Sequence, residues 1–63
     1  MNDFYRQIRY IIEENPIADD ADRRLLAQAI ANLAYEAEVD LSAIEMPEDL
    51  ADVPAFVAEW KLY

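Results

Sequence analysis

Cysteine, histidine and glycine are all absent from the 63 residues of this chain. Without cysteine and histidine, the chain cannot form a disulfide, a Cys₂His₂ or Cys₄ zinc site, a cysteine nucleophile or the imidazole base that most hydrolytic triads need. Without glycine, it lacks the phosphate-cradling loops and the G-x-S-x-G elbow of nucleotide-binding proteins and serine hydrolases. We therefore expect a protein that is not an enzyme and that uses no metal and no cofactor.

Long apolar runs are absent as well. No segment has the roughly 20 consecutive apolar residues that a bilayer-spanning helix needs. The residues after Met1 are Asn2 and Asp3, which do not form the positively charged region that opens a secretory signal. We expect a soluble, cytoplasmic protein.

Apolar residues are nevertheless plentiful. They make up 56% of the chain, and eleven of its residues are alanine. This is enough apolar side chain to offset part of the entropy of ordering, and many alanines without any glycine favour helices over tight hairpins. The sequence predicts one all-α domain over residues 1–63, a small three-helix bundle with an additional short helical turn before the last helix.

The first predicted helix covers residues 4–14. Asp3 stands where a helix N-cap is favoured, and apolar residues then recur at helical spacing: Phe4, Tyr5, Ile8, Ile11 and Ile12. Pro16 cannot continue a helix, and Asn15 before it tolerates the left-handed conformation that commonly ends one. The helix is therefore expected to end near Asn15.

Two further helices are predicted at residues 20–37 and 53–62. Acids at positions 19, 20 and 22 suit the cap and first turn of the second helix, because negative charge is favoured there. Between the two helices, Pro47 is expected to open a short helical turn that points Leu50 inward. The last helix should bury two aromatic rings, since its apolar residues fall at helical spacing: Val53, Phe56, Val57 and Trp60.

The second helix has two apolar faces. Its core stripe is predicted to consist of Leu26, Ala29, Ile30, Leu33 and Ala37, with Leu25 at the border. The other face carries Ala27, Ala31 and Ala34, whose small side chains permit close approach of another helix or of a second copy of the chain. We expect this helix to be the central one.

Positive charge is scarce and unevenly placed. The chain holds 14 acids and 5 bases, for a net charge of −9. Residues 1–24 carry six acids and four bases, whereas residues 25–60 carry eight acids and no base. Eight carboxylates without a counter-charge repel one another in a folded chain, and interspersed lysines would relieve that repulsion. The acidic tract is therefore the most informative feature of the sequence.

Two interpretations of the acidic tract are open. The acids can simply keep a small, apolar chain in solution. Alternatively, they form a field directed at a basic surface, and strongly basic surfaces usually belong to proteins that bind DNA or RNA phosphates. A tyrosine off the apolar stripe adjoins the tract, and such tyrosines are enriched at interfaces. The candidate partner-binding residues are Tyr35, Glu36, Glu38, Asp40, Glu45, Glu48, Asp49 and Asp52.

The acids do not match a familiar metal-binding loop. An EF-hand counted from Glu36 would need glycine at its sixth position and glutamate at its twelfth, where the chain has Leu41 and Pro47. The single serine, Ser42, lies in Asp-Leu-Ser-Ala and not in the Asp-Ser-Leu triplet of acyl carrier proteins. Neither calcium binding nor a carrier role is therefore expected.

A very small chain without glycine or cysteine, with an acidic tract from Glu36 to Glu59, resembles the small inhibitors that phages and mobile elements encode against host defence. Anti-CRISPR proteins and DNA-mimicking anti-restriction proteins are examples. The resemblance is one of type over the whole chain and contains no motif. It implies a non-catalytic inhibitor in the host cytoplasm that binds a Cas surveillance complex, or another basic nucleic-acid-binding protein, where the partner would grip DNA. It implies no direct contact with nucleic acid or membrane.

The alternative is a small helical adapter or regulatory subunit whose acids only confer solubility. Such a protein would associate through apolar contacts, and a homodimer through Ala27, Ala31 and Ala34 is the form that this sequence favours. The two hypotheses differ in salt dependence, because salt screens attraction between charges and does not weaken apolar contacts.

Overall fold

The structure is a computed structural model that describes residues 2–60. Over this range the chain forms three α-helices and no strand: α1 at Asn2–Glu14, α2 at Asp20–Glu36 and α3 at Val53–Trp60. A single turn of 3-10 helix at Glu48–Leu50 precedes α3. The predicted all-α fold, with its additional helical turn before the last helix, is confirmed.

The predicted end of the last helix, residues 61 and 62, lies outside the described residues. None of the helices within residues 2–60 combines the length and the apolar character that crossing a bilayer requires.

Asp19 begins α2 as its N-cap. Its Oδ1 atom accepts a hydrogen bond from the backbone N–H of Asp22 at 3.0 Å, and the Oδ2 atom of Asp22 accepts one from the backbone N–H of Ala18 at 3.0 Å. The first bond satisfies a donor that the start of a helix otherwise leaves without a partner, and the second holds the residue before the cap against the first turn. The acids at this position therefore stabilise the helix start directly.

Helix α1 ends at Glu14, next to Asn15, as the sequence predicts. Within the described residues, Glu38 alone among non-glycine residues has a positive φ, at 57°. Asn15 instead ends α1 through its side chain, whose Nδ2 donates a hydrogen bond to the carbonyl oxygen of Ile11 at 2.8 Å. Pro16 ends the helix here, since the residue before a proline is driven towards extended conformations.

Glu38 ends α2 in a Schellman motif. The backbone N–H of Val39 donates to the carbonyl oxygen of Ala34 at 2.9 Å, and that of Glu38 donates to the carbonyl oxygen of Tyr35 at 3.1 Å. This motif requires a left-handed residue at the position after the cap, where glycine is usual and a residue with a Cβ atom is strained. In this chain that position is occupied by Glu38.

The core consists of apolar side chains from all the helices and from the 3-10 turn. The buried ones are Phe4, Ile8, Leu26, Ala27, Ile30, Ala34, Leu50, Val53 and Val57. Ile8 of α1 and Ile30 of α2 are fully buried. Leu50 points inward, as the sequence predicts for the turn that follows Pro47.

The buried face of α2 differs from the predicted stripe. Ala37 is exposed and Ala29 is only half-buried, whereas Ala27 and Ala34 are buried. The reason is α3, which packs against α2 on the alanine side, where small side chains permit a close approach. The alanine face therefore receives a helix of the same chain, and the predicted homodimer through it has no free surface at Ala27 and Ala34.

The two aromatic rings of α3 are less buried than predicted. Phe56 and Trp60 are both half-buried. The guanidinium of Arg23 lies over the ring of Trp60, 5.6 Å from its centroid, which is the geometry of a cation–π contact. Because Trp60 meets the start of α2 while Pro54 lies near Tyr35 at its end, α3 runs antiparallel to α2.

Replacement of Glu38 by glycine is expected to raise the free energy of unfolding by about 1 kcal/mol, because glycine adopts a positive φ without the Cβ penalty. As a matched control, Glu36→Gly removes the same charge from a helical position and should lower that free energy by up to about 1 kcal/mol. Urea unfolding followed by the fluorescence of Trp60 measures both. A Glu38→Gly variant no more stable than the parent would contradict the strain assigned to this residue.

Candidate protein-binding surface

All eight predicted partner-binding residues are exposed on the surface of the chain. Tyr35 is the most exposed of the large apolar side chains within the described range, at 84%. Exposure makes these residues accessible to a partner, but it does not place them on one surface. Six of them fall into two groups according to their positions in the fold.

The first group lies beside α1. The guanidinium of Arg9 holds the carboxylate of Asp49 through two hydrogen bonds, from Nε to Oδ2 at 2.8 Å and from a terminal nitrogen to Oδ1 at 3.1 Å. The hydroxyl of Tyr5 donates to the backbone carbonyl oxygen of Glu45. Both contacts fasten the segment that follows α2 onto α1.

The Arg9 guanidinium lowers the pKa of Asp49, chiefly through the side-chain hydrogen bond. The same contact raises the pKa of Arg9. The charge of Asp49 is thus neutralised by a base of the same chain. Asp49 therefore helps to hold the fold together and is not a free acid for a partner. Sequence patterns do not reveal such a pair, because forty positions separate its members.

The second group lies at the end of α2. Asp40 stabilises a tight turn, since its Oδ1 atom accepts hydrogen bonds from the backbone N–H of Ser42 at 3.0 Å and from its hydroxyl at 2.7 Å. These bonds, the one from the hydroxyl first, lower the pKa of Asp40 and keep it ionised. Glu36 and Glu38 adjoin this turn along the chain, at the last residue of α2 and in the Schellman motif.

A groove between α2 and α3 brings Tyr35 and Asp40 together. Its volume is about 490 Å³, and both residues line it, as do the side chains of Gln28 and Asn32. The Nε2 atom of Gln28 donates to the Oδ1 atom of Asn32 at 3.1 Å. These amides carry no motif, and their spacing of four on a helix is the only sequence signal that places them on one face.

The remaining predicted residues, Glu48 and Asp52, lie on either side of Asp49 along the chain. Glu48 is in the 3-10 turn, and Asp52 precedes α3, where its carbonyl oxygen accepts a hydrogen bond from the backbone N–H of Phe56 at 3.0 Å. The predicted set therefore follows the connecting segment from the groove towards α1 and then to the start of α3.

The spacing of the acids bears on metal binding. Within residues 2–60 no three carboxylates are grouped closely enough to hold a metal ion.

Comparison with protein-family models, curated proteins and solved structures found no match to this chain. Inference about function therefore depends on the exposed acids and on the groove.

Replacement of Asp49 by asparagine is expected to lower the urea midpoint at pH 7 and low salt. The pKa of Asp49 is lower in the folded chain than its ordinary value of 3.8, so the ion pair stabilises the fold above that pH. This contribution is lost as the pH falls below the ordinary value and through the lowered one. The urea midpoints of the parent and of Asp49→Asn should therefore converge in acid.

Glu48→Gln is the matched control for this titration. It removes a neighbouring exposed carboxylate that has no ion-pair partner among the described residues. The urea midpoints of Glu48→Gln and of the parent should not converge in acid as those of Asp49→Asn and the parent do. An Asp49→Asn difference that stays constant from pH 7 to pH 3 would contradict the assigned ion pair.

Proposed function

We propose that this chain is a non-catalytic inhibitor that binds a basic protein surface made for nucleic acid. The observation that carries the proposal is the exposure of all eight acids of residues 25–60. Asp49 alone among them has an ion-pair partner within residues 2–60. The other seven carboxylates have no ion-pair partner among the described residues.

A surface of unpaired carboxylates attracts a basic partner before contact. Charged patches of opposite sign speed the diffusional encounter, and the attraction extends over roughly 8 Å at physiological salt. A lysine- and arginine-rich groove that grips DNA is neutralised by phosphates, and carboxylates can take their place there. The partner class that suits the small size and the charge of this chain best is a Cas surveillance complex, for which the chain would act as an anti-CRISPR protein.

The strain at Glu38 supports a role for the acids around it. A left-handed residue with a Cβ atom costs stability, and such strain tends to persist where function requires a particular residue. A chain selected only for solubility and stability could place glycine at this position and charge elsewhere. Glu38 instead puts a carboxylate directly between Glu36 and Asp40 along the chain.

A helical adapter that associates through apolar contacts is the second candidate. Leu25 is 68% exposed and Tyr10 is 63% exposed, so apolar area is present outside the core. In this case the acids would only keep the chain in solution. Replacement of Leu25 by glutamate should then abolish association, whereas raising the salt concentration should not.

Charge reversal tests the first candidate. Capture from a host lysate by the tagged chain at low salt identifies the partner, and binding kinetics then compare Glu36→Lys/Glu38→Lys with Glu13→Lys/Glu14→Lys. Both pairs lie at the C-terminal end of a helix, where lysine is compatible with the helix dipole, and both change the net charge equally.

We expect the first pair to slow association about tenfold or more at low salt and the second pair to slow it far less. Circular dichroism should show unchanged helix content in both variants. Equal slowing by both pairs would mean that net charge alone acts. Capture that survives high salt and both charge reversals would contradict the proposal and favour the adapter.

A further inference from the structure

The groove between α2 and α3 has an apolar floor. Its floor residues are Ala31, Ala34, Val39, Leu41 and Val57. Ala34 and Val57 are buried, and the other three are half-buried. This floor offers an apolar surface that a side chain of a partner can cover.

Apart from Pro54 and Ala58, the other lining residues are polar or aromatic, and none of the lining residues is basic. Tyr35 presents a ring that is 84% exposed, and Asp40 presents an exposed carboxylate. The amides of Gln28 and Asn32 line the same groove. A ligand of this groove therefore meets an apolar floor, an aromatic ring and a negative charge together.

We propose that the groove receives an arginine side chain of the basic partner, with the guanidinium held between the Tyr35 ring and the Asp40 carboxylate. This inference rests on the proposed function and names the chemistry that the partner brings to this surface. The aliphatic stem of the arginine covers the apolar floor, as such stems do when their charged end reaches a polar group.

Arginine matches the groove better than other ligands. Its planar guanidinium stacks on an aromatic face and donates to a carboxylate at the same time. Lysine carries a compact, strongly hydrated charge that does not stack in this way. An anionic ligand would be repelled by the carboxylate of Asp40, which lines the groove.

Titration of the ¹⁵N-labelled full chain with a single-arginine tripeptide, acetyl-Ala-Arg-Ala-amide, tests the inference. The probe carries one cation, so it cannot bind merely as a polycation. We expect saturable amide shifts confined to the groove, with smaller shifts for the lysine tripeptide and none for the citrulline tripeptide. Shifts spread over the acids, or equal for arginine and lysine, would overturn the inference, as would the absence of any shift.

Two variants remove the proposed contacts without disturbing the fold. Asp40→Asn loses the charge but keeps the turn, because asparagine accepts the same hydrogen bonds from Ser42. Tyr35→Ala removes a ring that is almost wholly exposed. Each should weaken binding of the arginine tripeptide about threefold or more, whereas Tyr10→Ala and Glu59→Gln should leave it unchanged. Equal weakening by the control variants would also overturn the inference.

The outcomes separate this inference from the proposed function. If the captured basic partner binds Tyr35→Ala and Asp40→Asn as tightly as the parent, the groove assignment fails while the inhibitor proposal stands. If the arginine tripeptide fills the groove but no basic partner is captured, the groove assignment stands and the inhibitor proposal fails.

Discussion

The burial of α2 between the two other helices is the constraint on which this fold depends. A chain of this length has little apolar surface to bury, and Ile8 and Ile30, both fully buried, belong to the one cluster that joins α1, α2 and α3. The described core contains no charged side chain. Every acid of residues 25–60 is consequently exposed, and the groove forms where α3 meets the alanine side of α2. The helix packing that stabilises the chain thereby determines where the acids lie on its surface.

Features that depend on neighbouring residues could be predicted from the sequence. The N-cap at Asp19 and the turn after Pro47 require only a few consecutive positions, and both form as expected. The end of α1 next to Asn15 was likewise predictable, because Pro16 cannot continue the helix. The buried face of α2 could not be predicted, because the burial of Ala34 rather than Ala37 depends on where α3 packs.

The candidate site was predictable as a set of residues but not as a surface. Exposure of the acids follows from their charge, since an unpaired carboxylate is rarely buried. The division of these residues into acids paired within the chain and acids left free does not follow from the sequence. The contact of Arg9 with Asp49 links positions forty residues apart. The structure thus removes Asp49 from the free acids and places Asp40 next to Tyr35 in one groove.

We propose that the exposed acids attract a basic partner and that the groove, with its aromatic ring and carboxylate, gives that partner a defined place to bind. The most direct test of this account is an equilibrium titration in which the chain and duplex DNA compete for the captured partner. The account predicts mutual exclusion, so that saturating DNA displaces the chain and saturating chain displaces the DNA. A ternary complex of partner, chain and DNA, formed with unchanged affinities, would contradict it.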